Sequence, residues 1–448
     1  MKLISSFIIL LLFIIEAFAQ QTKTYTLNEA INLALERNLS VVQAQNNVES
    51  AQARVLAAYG NYLPALSAFG GWNRTQNDRA ASSTQIIGGQ ALSFPASFSV
   101  TNNFSTRVDL SYVLFDGFAR EANFNSASAS ALSTEQQAAR TRQSIVYQVE
   151  NAYLNVLRKE QLVKVSEENL KRGRRQLERI TESNRVGALP LADVYRQQSQ
   201  VAADELNLIT AQNDYEKAKA DLVALIGSDM AQEHNFSDPS ISPETNQTEL
   251  DSTKEMYSNF HELTQRSLAN RPDYMATKES FRSAEAGVTA ARSGYFPTIS
   301  ASAGYSLSNT ELSTLRNNKN IAWGINIRWN LFDAFQTNQS LQSAIADQHN
   351  AEVAMRQAER DIGVEVKKAL LDLEAARKGV EVSQKGLRSA MEDRKIAEER
   401  YNLGAGTLLD LLTANAGLVN AQANNINASY FYIIAKRNLE YVIGERTY

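Results

Sequence analysis

Residues 298–308 read TISASAGYSLS, and residues 321–331 read IAWGINIRWNL. In the first run Ile299, Ala301, Ala303, Tyr305 and Leu307 alternate with Thr298, Ser300, Ser302, Gly304, Ser306 and Ser308. In the second, Ile321, Trp323, Ile325, Ile327, Trp329 and Leu331 alternate with Ala322, Gly324, Asn326, Arg328 and Asn330. A period of two predicts a β-strand, because successive side chains leave a pleated strand on opposite faces. One face is apolar with aromatic residues near its ends; the other is small and polar. Taken singly, such a run fits a half-buried strand of a soluble sandwich as well as a strand of a membrane barrel, whose lipid face is apolar and whose lumen face is polar.

Two weaker runs, about residues 65–74 and 104–114, show the same pattern. Leu66, Ala68, Gly70 and Trp72 face away from Ser67 and Gly71, with Phe69 breaking the alternation. Phe104, Thr106, Val108, Leu110, Tyr112 and Leu114 oppose Ser105, Arg107, Asp109, Ser111 and Val113. The four runs occur as two pairs because the chain is duplicated. Tyr62-Leu63-Pro64 recurs as Tyr295-Phe296-Pro297, and Ala34-Leu35 as Ser267-Leu268, a shift of 233. Leu114-Phe115-Asp116 recurs as Leu331-Phe332-Asp333, Gly187 as Gly404, Asp193 as Asp410 and Ile226-Gly227 as Ile443-Gly444, a shift of 217. The difference of 16 residues falls in the Ser/Gly/Asn-rich segment 73–103 of the first copy, which reads as a long loop.

Outside the strands the chain reads as helix. All seven prolines lie outside residues 98–189 and 298–448, so those stretches can hold very long helices. Ile145, Val149, Ala152, Val156, Val163, Leu170, Leu177 and Ile180 form an a/d heptad seam, matched by Ile362, Val366, Ala369, Leu373, Val380, Leu387 and Ala397. About 70 residues of helix extend roughly 105 Å. Each long helix ends near Gly187 or Gly404. A second helix then starts near Pro190 or Thr407 and closes at Gly227 or Gly444, making a helical hairpin in each copy. The expected divisions are a signal peptide at 1–19, a first repeat at 20–227, a linker at 228–261 with a short helix, and a second repeat at 262–448.

Composition narrows the setting. The 448 residues carry 45 Lys plus Arg against 49 Asp plus Glu, which offers nothing for nucleic acid. A mean hydropathy of −0.33 argues against a bundle of membrane helices. Lys2, the apolar run from Leu3 to Ile15 and Ala17-Phe18-Ala19 form a cleavable export signal, so the mature chain is expected to start at Gln20 or Gln21. There is no cysteine, which excludes disulfides, thiolate metal sites, a cysteine nucleophile and a lipid-modified N-terminal cysteine. His234, His261 and His349 are scattered, so neither a metal nor a cofactor is expected. Phosphate-binding Gly-Lys-Ser/Thr loops, HExxH and Gly-x-Ser-x-Gly elbows are missing too, so an enzyme is not expected.

Four alternating strands behind an export signal, in an otherwise helical chain, favour the membrane reading. Four strands cannot close a barrel, since the smallest bacterial barrels need about eight, and an open edge in lipid leaves backbone groups unpaired at several kcal/mol each. The barrel must be shared. Three chains would give 12 strands, and six helical hairpins could continue it as a hollow helical cylinder.

At this point the chain resembles the TolC-like outer-membrane efflux protein family over essentially its whole mature length. The carrying features are the duplication, the Tyr-(Leu/Phe)-Pro before each strand pair, the Leu-Phe-Asp after it, and the turns Arg185-Val186-Gly187-Ala188-Leu189 and Tyr401-Asn402-Leu403-Gly404-Ala405-Gly406-Thr407. The resemblance implies a mainly α fold with a membrane β-barrel portion. Duplicated hairpins form a trimeric α-barrel, and four strands per chain enter a shared 12-stranded barrel. It implies a homotrimer in outer-membrane lipid, extending into the periplasm of a Gram-negative bacterium. Its function would be a passive exit duct of a tripartite efflux or type I secretion system, serving an inner-membrane efflux pump or ABC transporter through a periplasmic adaptor, a membrane fusion protein.

By the same resemblance, Val186, Gly187, Ala188 and Leu189 with Leu403, Gly404, Ala405 and Gly406 are the adaptor-contacting tips. Family members often carry an Arg four residues before the tip glycine; Arg400 fits, whereas the first copy has Ser183. Gly187 and Gly404 also read simply as helix C-caps. Asp193 and Asp410, repeated by three-fold symmetry, would ring a narrow periplasmic gate and favour cations, with Tyr401 hydrogen-bonded across hairpins to Asp193. Each aspartate equally fits the first turn of a helix, where it complements the dipole. Some relatives carry a second acid where Thr413 stands, so the ring here is expected to be less charged. The competing assignment is a periplasmic coiled-coil adaptor or scaffold, which would show one hairpin within β-rich flanks. A single-chain porin would need many more strands.

Overall fold

The computed structural model of the chain describes residues 23–81, 85–92, 95–239, 241 and 247–445; the expected signal peptide lies outside them. In chain order the elements are β1 (Lys23–Tyr25), α1 (Leu27–Arg37), α2 (Leu39–Gly60), β2 (Ala65–Arg79), β3 (Gln85–Ile87), β4 (Gln90–Leu92), β5 (Ser97–Phe115), α3 (Ala119–Arg185) and α4 (Leu191–Leu225). There follow β6 (His234–Phe236), α5 (Gln247–Met256), α6 (Phe260–Asn270), α7 (Pro272–Arg292), β7 (Thr298–Asn309), β8 (Lys319–Arg328), α8 (Gln336–Asn402) and α9 (Leu408–Val442). Contacts divide the chain into two compact units, each drawing on both sequence copies. One contains residues 49–133 and 277–354; the other contains the remainder.

The first of these units holds the sheet. Its strand order is β2-β5-β7-β8, with every neighbouring pair antiparallel. Among the described residues, β2 and β8 each pair on one side only. The register puts Trp72 opposite Phe104, Val108 between Ala68 and Tyr305, and Tyr305 opposite Ile321. Ala303 faces Leu110 and Trp323, and Ile299 faces Ile327. Most of the large apolar residues of all four strands therefore share one face. Phe69, Ser105, Arg107, Asp109, Ser302, Ser306 and Asn326 share the other. Among the described residues no layer covers the apolar face: Leu66, Trp72, Trp323, Ile325 and Ile327 are exposed, Trp323 at 83%.

Three details depart from the alternating pattern. Segment 73–103, read as a long loop, is in large part a continuation of the hairpin, with β2 reaching Arg79 and β5 starting at Ser97. Its Ser, Thr and Asn residues pair as strand because two neighbouring backbones satisfy each other, whatever their side chains. β8 spans Lys319–Arg328, so Trp329, Asn330 and Leu331 leave the ladder. Its last pair is Thr298 with Arg328, and β7 offers nothing further because Pro297, which has no N–H, precedes Thr298. Finally, a bulge between Val113 and Phe115 brings Phe115, rather than Leu114, opposite Ile299.

Strand passes to helix through a corner repeated in both copies. Gly117 and Phe118, then Ala334 and Phe335, take left-handed backbone with φ of 67°, 69°, 52° and 67°. Asp116 accepts from the Arg120 backbone N–H at 3.1 Å, and Asp333 from the Thr337 N–H at 2.9 Å, so each carboxylate caps the helix that starts there. The corner rings pack edge to face, Phe115 with Phe118 at 5.7 Å and Phe332 with Phe335 at 5.8 Å.

The other unit is helical, with two matching cores. In the first, Ala30, Ile31 and Ala34 of α1 pack with Ile145, Val149 and Val156 of α3 and with Leu222 and Ile226 at the end of α4. In the second, Leu263 of α6 packs with Ile362, Val366 and Leu373 of α8 and with Leu439 and Ile443 at the end of α9. None of the heptad-seam residues is fully exposed. Gly227 and Gly444, at φ of 65° and 70°, let the closing turns lie against the backbone of Arg37 and of Asn270 and Arg271. Asn38 donates to the Leu225 carbonyl at 2.9 Å and its counterpart Arg271 to the Val442 carbonyl at 3.4 Å. Arg271 is buried and also binds Asp273 and Glu365 at 2.6 and 2.5 Å.

Candidate functional site at the hairpin tips

Each tip is a helix end closed by a glycine. At φ of 80° and 71°, Gly187 and Gly404 occupy backbone that other residues adopt at a cost. The Ala188 N–H reaches the Ser183 carbonyl and the Ala405 N–H the Arg400 carbonyl, both at 2.8 Å, while Gly187 and Gly404 bond the carbonyls of Asn184 and Tyr401. This is the same two-bond cap twice. It pushes Val186 and Leu403 into solvent, 69% and 82% exposed, beside exposed Gly187, Ala188, Gly404 and Ala405. Leu189 and Gly406 are half-buried instead. Leu189 packs against the small core of Ile180, Val194 and Leu408 that joins the two tips, with Tyr401 and Leu412.

The two aspartates occupy equivalent positions yet differ in what they do. Asp410 closes a capping box: its carboxylate accepts from the Thr407 backbone N–H at 2.9 Å and the Thr407 hydroxyl at 2.8 Å, and its own N–H bonds the same hydroxyl. Those bonds hold the Asp410 carboxyl below the usual carboxylate range, the Thr407 N–H first. In the first copy the capping position is Pro190, which offers no side-chain hydrogen bond, and Asp193 pairs with Arg196 at 2.7 Å. Asp193 thus remains turned toward the groove it lines with Ser183, Tyr401 and Gly404.

The hydrogen bond expected from Tyr401 to Asp193 is not made within the chain. Tyr401 Oη is buried, with Gln176 as its side-chain neighbour. Burial, and then the Asp193 charge, push the phenol up. Arg400 donates to the Ala405 carbonyl at 3.3 Å, bracing its own tip.

Sequence reasoning missed Arg196, although an acid followed three positions later by a base on a helix is a readable signal. It also missed a buried polar cavity of about 150 Å³ where Asp204, Gln197 and Arg172 meet α9. Asp204 is 4% exposed and accepts from Gln200 at 3.0 Å; desolvation pushes its carboxyl up. Nothing local marks those residues as buried, because they become so only when α4 meets α3 and α9. Among the described residues, no cluster of His, Cys, Asp and Glu is arranged to hold a metal.

An open sheet with one largely apolar face and duplicated helical hairpins with exposed glycine tips are the features of an outer-membrane channel protein. The chain matches the profile of the outer membrane efflux protein family over residues 30–228 and 263–445, and it belongs to that family. Such proteins are channels of the Gram-negative outer membrane that extend into the periplasm and serve tripartite efflux systems, and that is the function of this chain. It is similar to protein CyaE of Bordetella pertussis, 25% identical over 410 residues, covering 91% of this chain and 81% of that one. It is also similar to the outer membrane protein TolC of Vibrio cholerae, 23% identical over 434 residues, with 93% and 90% coverage. Among solved structures, the outer membrane protein VceC of Vibrio cholerae superposes with a TM-score of 0.76 at 19% identity, covering 93% of this chain and 96% of that one.

Proposed function

We propose that three copies of the chain close their sheets into one 12-stranded barrel that conducts substrates passively, with transport energy supplied by partner proteins. The observation that carries this is the sheet itself: an exposed face with an apolar band from Leu66 and Ile327 to Trp72 and Tyr305 and, among the described residues, two unpaired edges. Three antiparallel steps separate β2 from β8, so they run in opposite directions. Setting β8 of one chain beside β2 of the next therefore continues the antiparallel ladder without a break. Closure removes the edge groups that lipid would leave unpaired, and the apolar face then meets acyl chains. The family resemblance supports three copies. Fractionation followed by unboiled gel electrophoresis tests this: a detergent-extracted outer-membrane trimer is expected, and a soluble monomer would refute it.

In this reading the hairpin tips are the periplasmic end. Val186, Gly187, Ala188 and Leu189 with Leu403, Gly404, Ala405 and Gly406 meet a periplasmic adaptor, which links the channel to an inner-membrane pump or ABC transporter. Exposed Val186 and Leu403 support them as the central contacts, and crosslinkers placed there are expected to capture the adaptor. Asp193, Asp410 and Tyr401 belong to the gate. The position of Asp193 and Tyr401 together in the tip groove, with the Asp193 carboxylate held by no helix cap, supports bonds to neighbouring chains that are drawn when the ring is closed. Asp410→Ala combined with Tyr401→Phe is expected to raise single-channel conductance in planar bilayers; unchanged conductance would sink the gate assignment.

A further inference from the structure

The apolar face of the sheet ends differently at its two extremities. At the end joined to helices it carries Leu66, Tyr112, Phe115, Ile299 and Ile327 and no cation. Toward the end bearing the turns it carries Trp72 and Phe104, stacked at 6.3 Å, and Tyr305, with Phe98 farther out opposite Asp78. The next residue on that face of β2 is Arg74, opposite Asn102; the next on β8 is Lys319, opposite Leu307. Arg316 lies in the 3₁₀ turn Leu312–Asn317 immediately before β8. Arg74, Arg316 and Lys319 are all exposed. Among the described residues none of them makes an ion pair, although Asp78 stands farther out on β2 and Glu311 precedes the turn.

Cations fixed at one border of a lipid-facing surface, and missing from the other, match a membrane whose leaflets differ in headgroup charge. We propose that this rim binds the phosphorylated headgroup of the outer-leaflet glycolipid, with Arg74, Arg316 and Lys319 on its phosphates and Trp72, Phe104 and Ile321 against its acyl chains. The guanidinium fork takes phosphate oxygens in pairs, and the lysine adds a point charge. Closing the barrel sets β8 of one chain against β2 of the next, so Lys319 and Arg74 come to flank each seam between chains. The bound lipid then also secures the junction that no single chain can form. This inference rests on the shared-barrel reading above, and its test separates the two.

The detergent-extracted trimer is incubated with purified lipid A or with enzymatically dephosphorylated lipid A, and retained lipid is measured by native mass spectrometry. Hydrogen bonds to charged groups contribute enough that the wild type should retain the phosphorylated form at least about tenfold better. Arg74→Gln, Arg316→Gln and Lys319→Gln together should abolish that preference while the protein still runs as an unboiled trimer. Equal retention of the two lipids by the wild type would overturn the proposal, and this arm needs no variant to fold. So would an undiminished preference in the triple variant or in Lys319→Gln alone. Failure to extract any trimer would overturn the shared barrel, and this inference with it.

Discussion

Two glycines with the same backbone conformation should respond very differently to alanine. Gly117 and Gly187 have φ of 67° and 80°. A Cβ at Gly187 would meet nothing within 4 Å, whereas one at Gly117 would stand 2.8 Å from both the Ser293 carbonyl oxygen and Phe296 Cβ. Gly187→Ala therefore carries only the left-handed cost, about 1–2 kcal/mol. Gly117→Ala adds overpacking against backbone that cannot rotate away, about 1–3 kcal/mol more. Alanine already occupies the equivalent corner position 334 at φ of 52°, so left-handed alanine is compatible with this turn, and the contact decides the outcome. Every copy in a trimer carries the corner, so the difference is multiplied in the assembly. The assay is the yield of unboiled trimer and the temperature at which it dissociates. Gly117→Ala should lower both, while Gly187→Ala should leave the trimer near wild type and weaken adaptor crosslinking at the tip. Equal dissociation temperatures for the two variants would refute the reasoning.

Adjacent strand positions should differ by face. Ile325→Lys places a charge in lipid and should cost about 2–4 kcal/mol near the bilayer centre, seen as lost trimer, while Asn326→Lys on the polar face should assemble normally; matching losses would contradict the assigned faces. Asp204 gives a pH prediction. Because burial raises its folded-state pKa, its contribution is fully present below the unfolded pKa and is lost as pH rises through the folded pKa. Asp204→Asn should flatten this dependence in urea unfolding and raise stability at neutral pH; an unchanged pH profile would show that the carboxylate is better solvated than its burial implies.

Much of the fold was legible because its signals are local. The alternation of Ile299 to Leu307 and of Ile321 to Ile327 depends only on the pleat, and the heptad seam from Ile145 to Ile180 only on helical pitch. Gly187 and Gly404 announce helix ends because few other residues accept that backbone. The hairpin extension from 73 to 103 was not legible, since Asn- and Ser-rich strands look like loops until a partner strand supplies their hydrogen bonds. The bulge that exchanges Leu114 for Phe115 was hidden for the same reason: register belongs to a pair of strands. At the tips the positions of Asp193 and Asp410 could be read, but their unequal roles could not. Those follow from Pro190 and Thr407, and from whether a cap is available to take the carboxylate.

The amino-acid sequence by itself determined the duplicated plan, the helical hairpins, the apolar strand faces and the membership in an exported channel family, because each is written in spacing along one chain. Only the structure decided that all four apolar faces align on one side of one sheet, that both edges of that sheet stay unpaired among the described residues, and that Asp410 is committed to a cap while Asp193 is not. It also set Arg74 just past Trp72 and Lys319 just past Ile321 on the same face. The alignment of the two strand pairs depends on β5 meeting β7 across 184 to 205 residues of chain, where small shifts of register move a side chain from one face to the other. A one-dimensional pattern carries the period of a strand, and its partner carries the register.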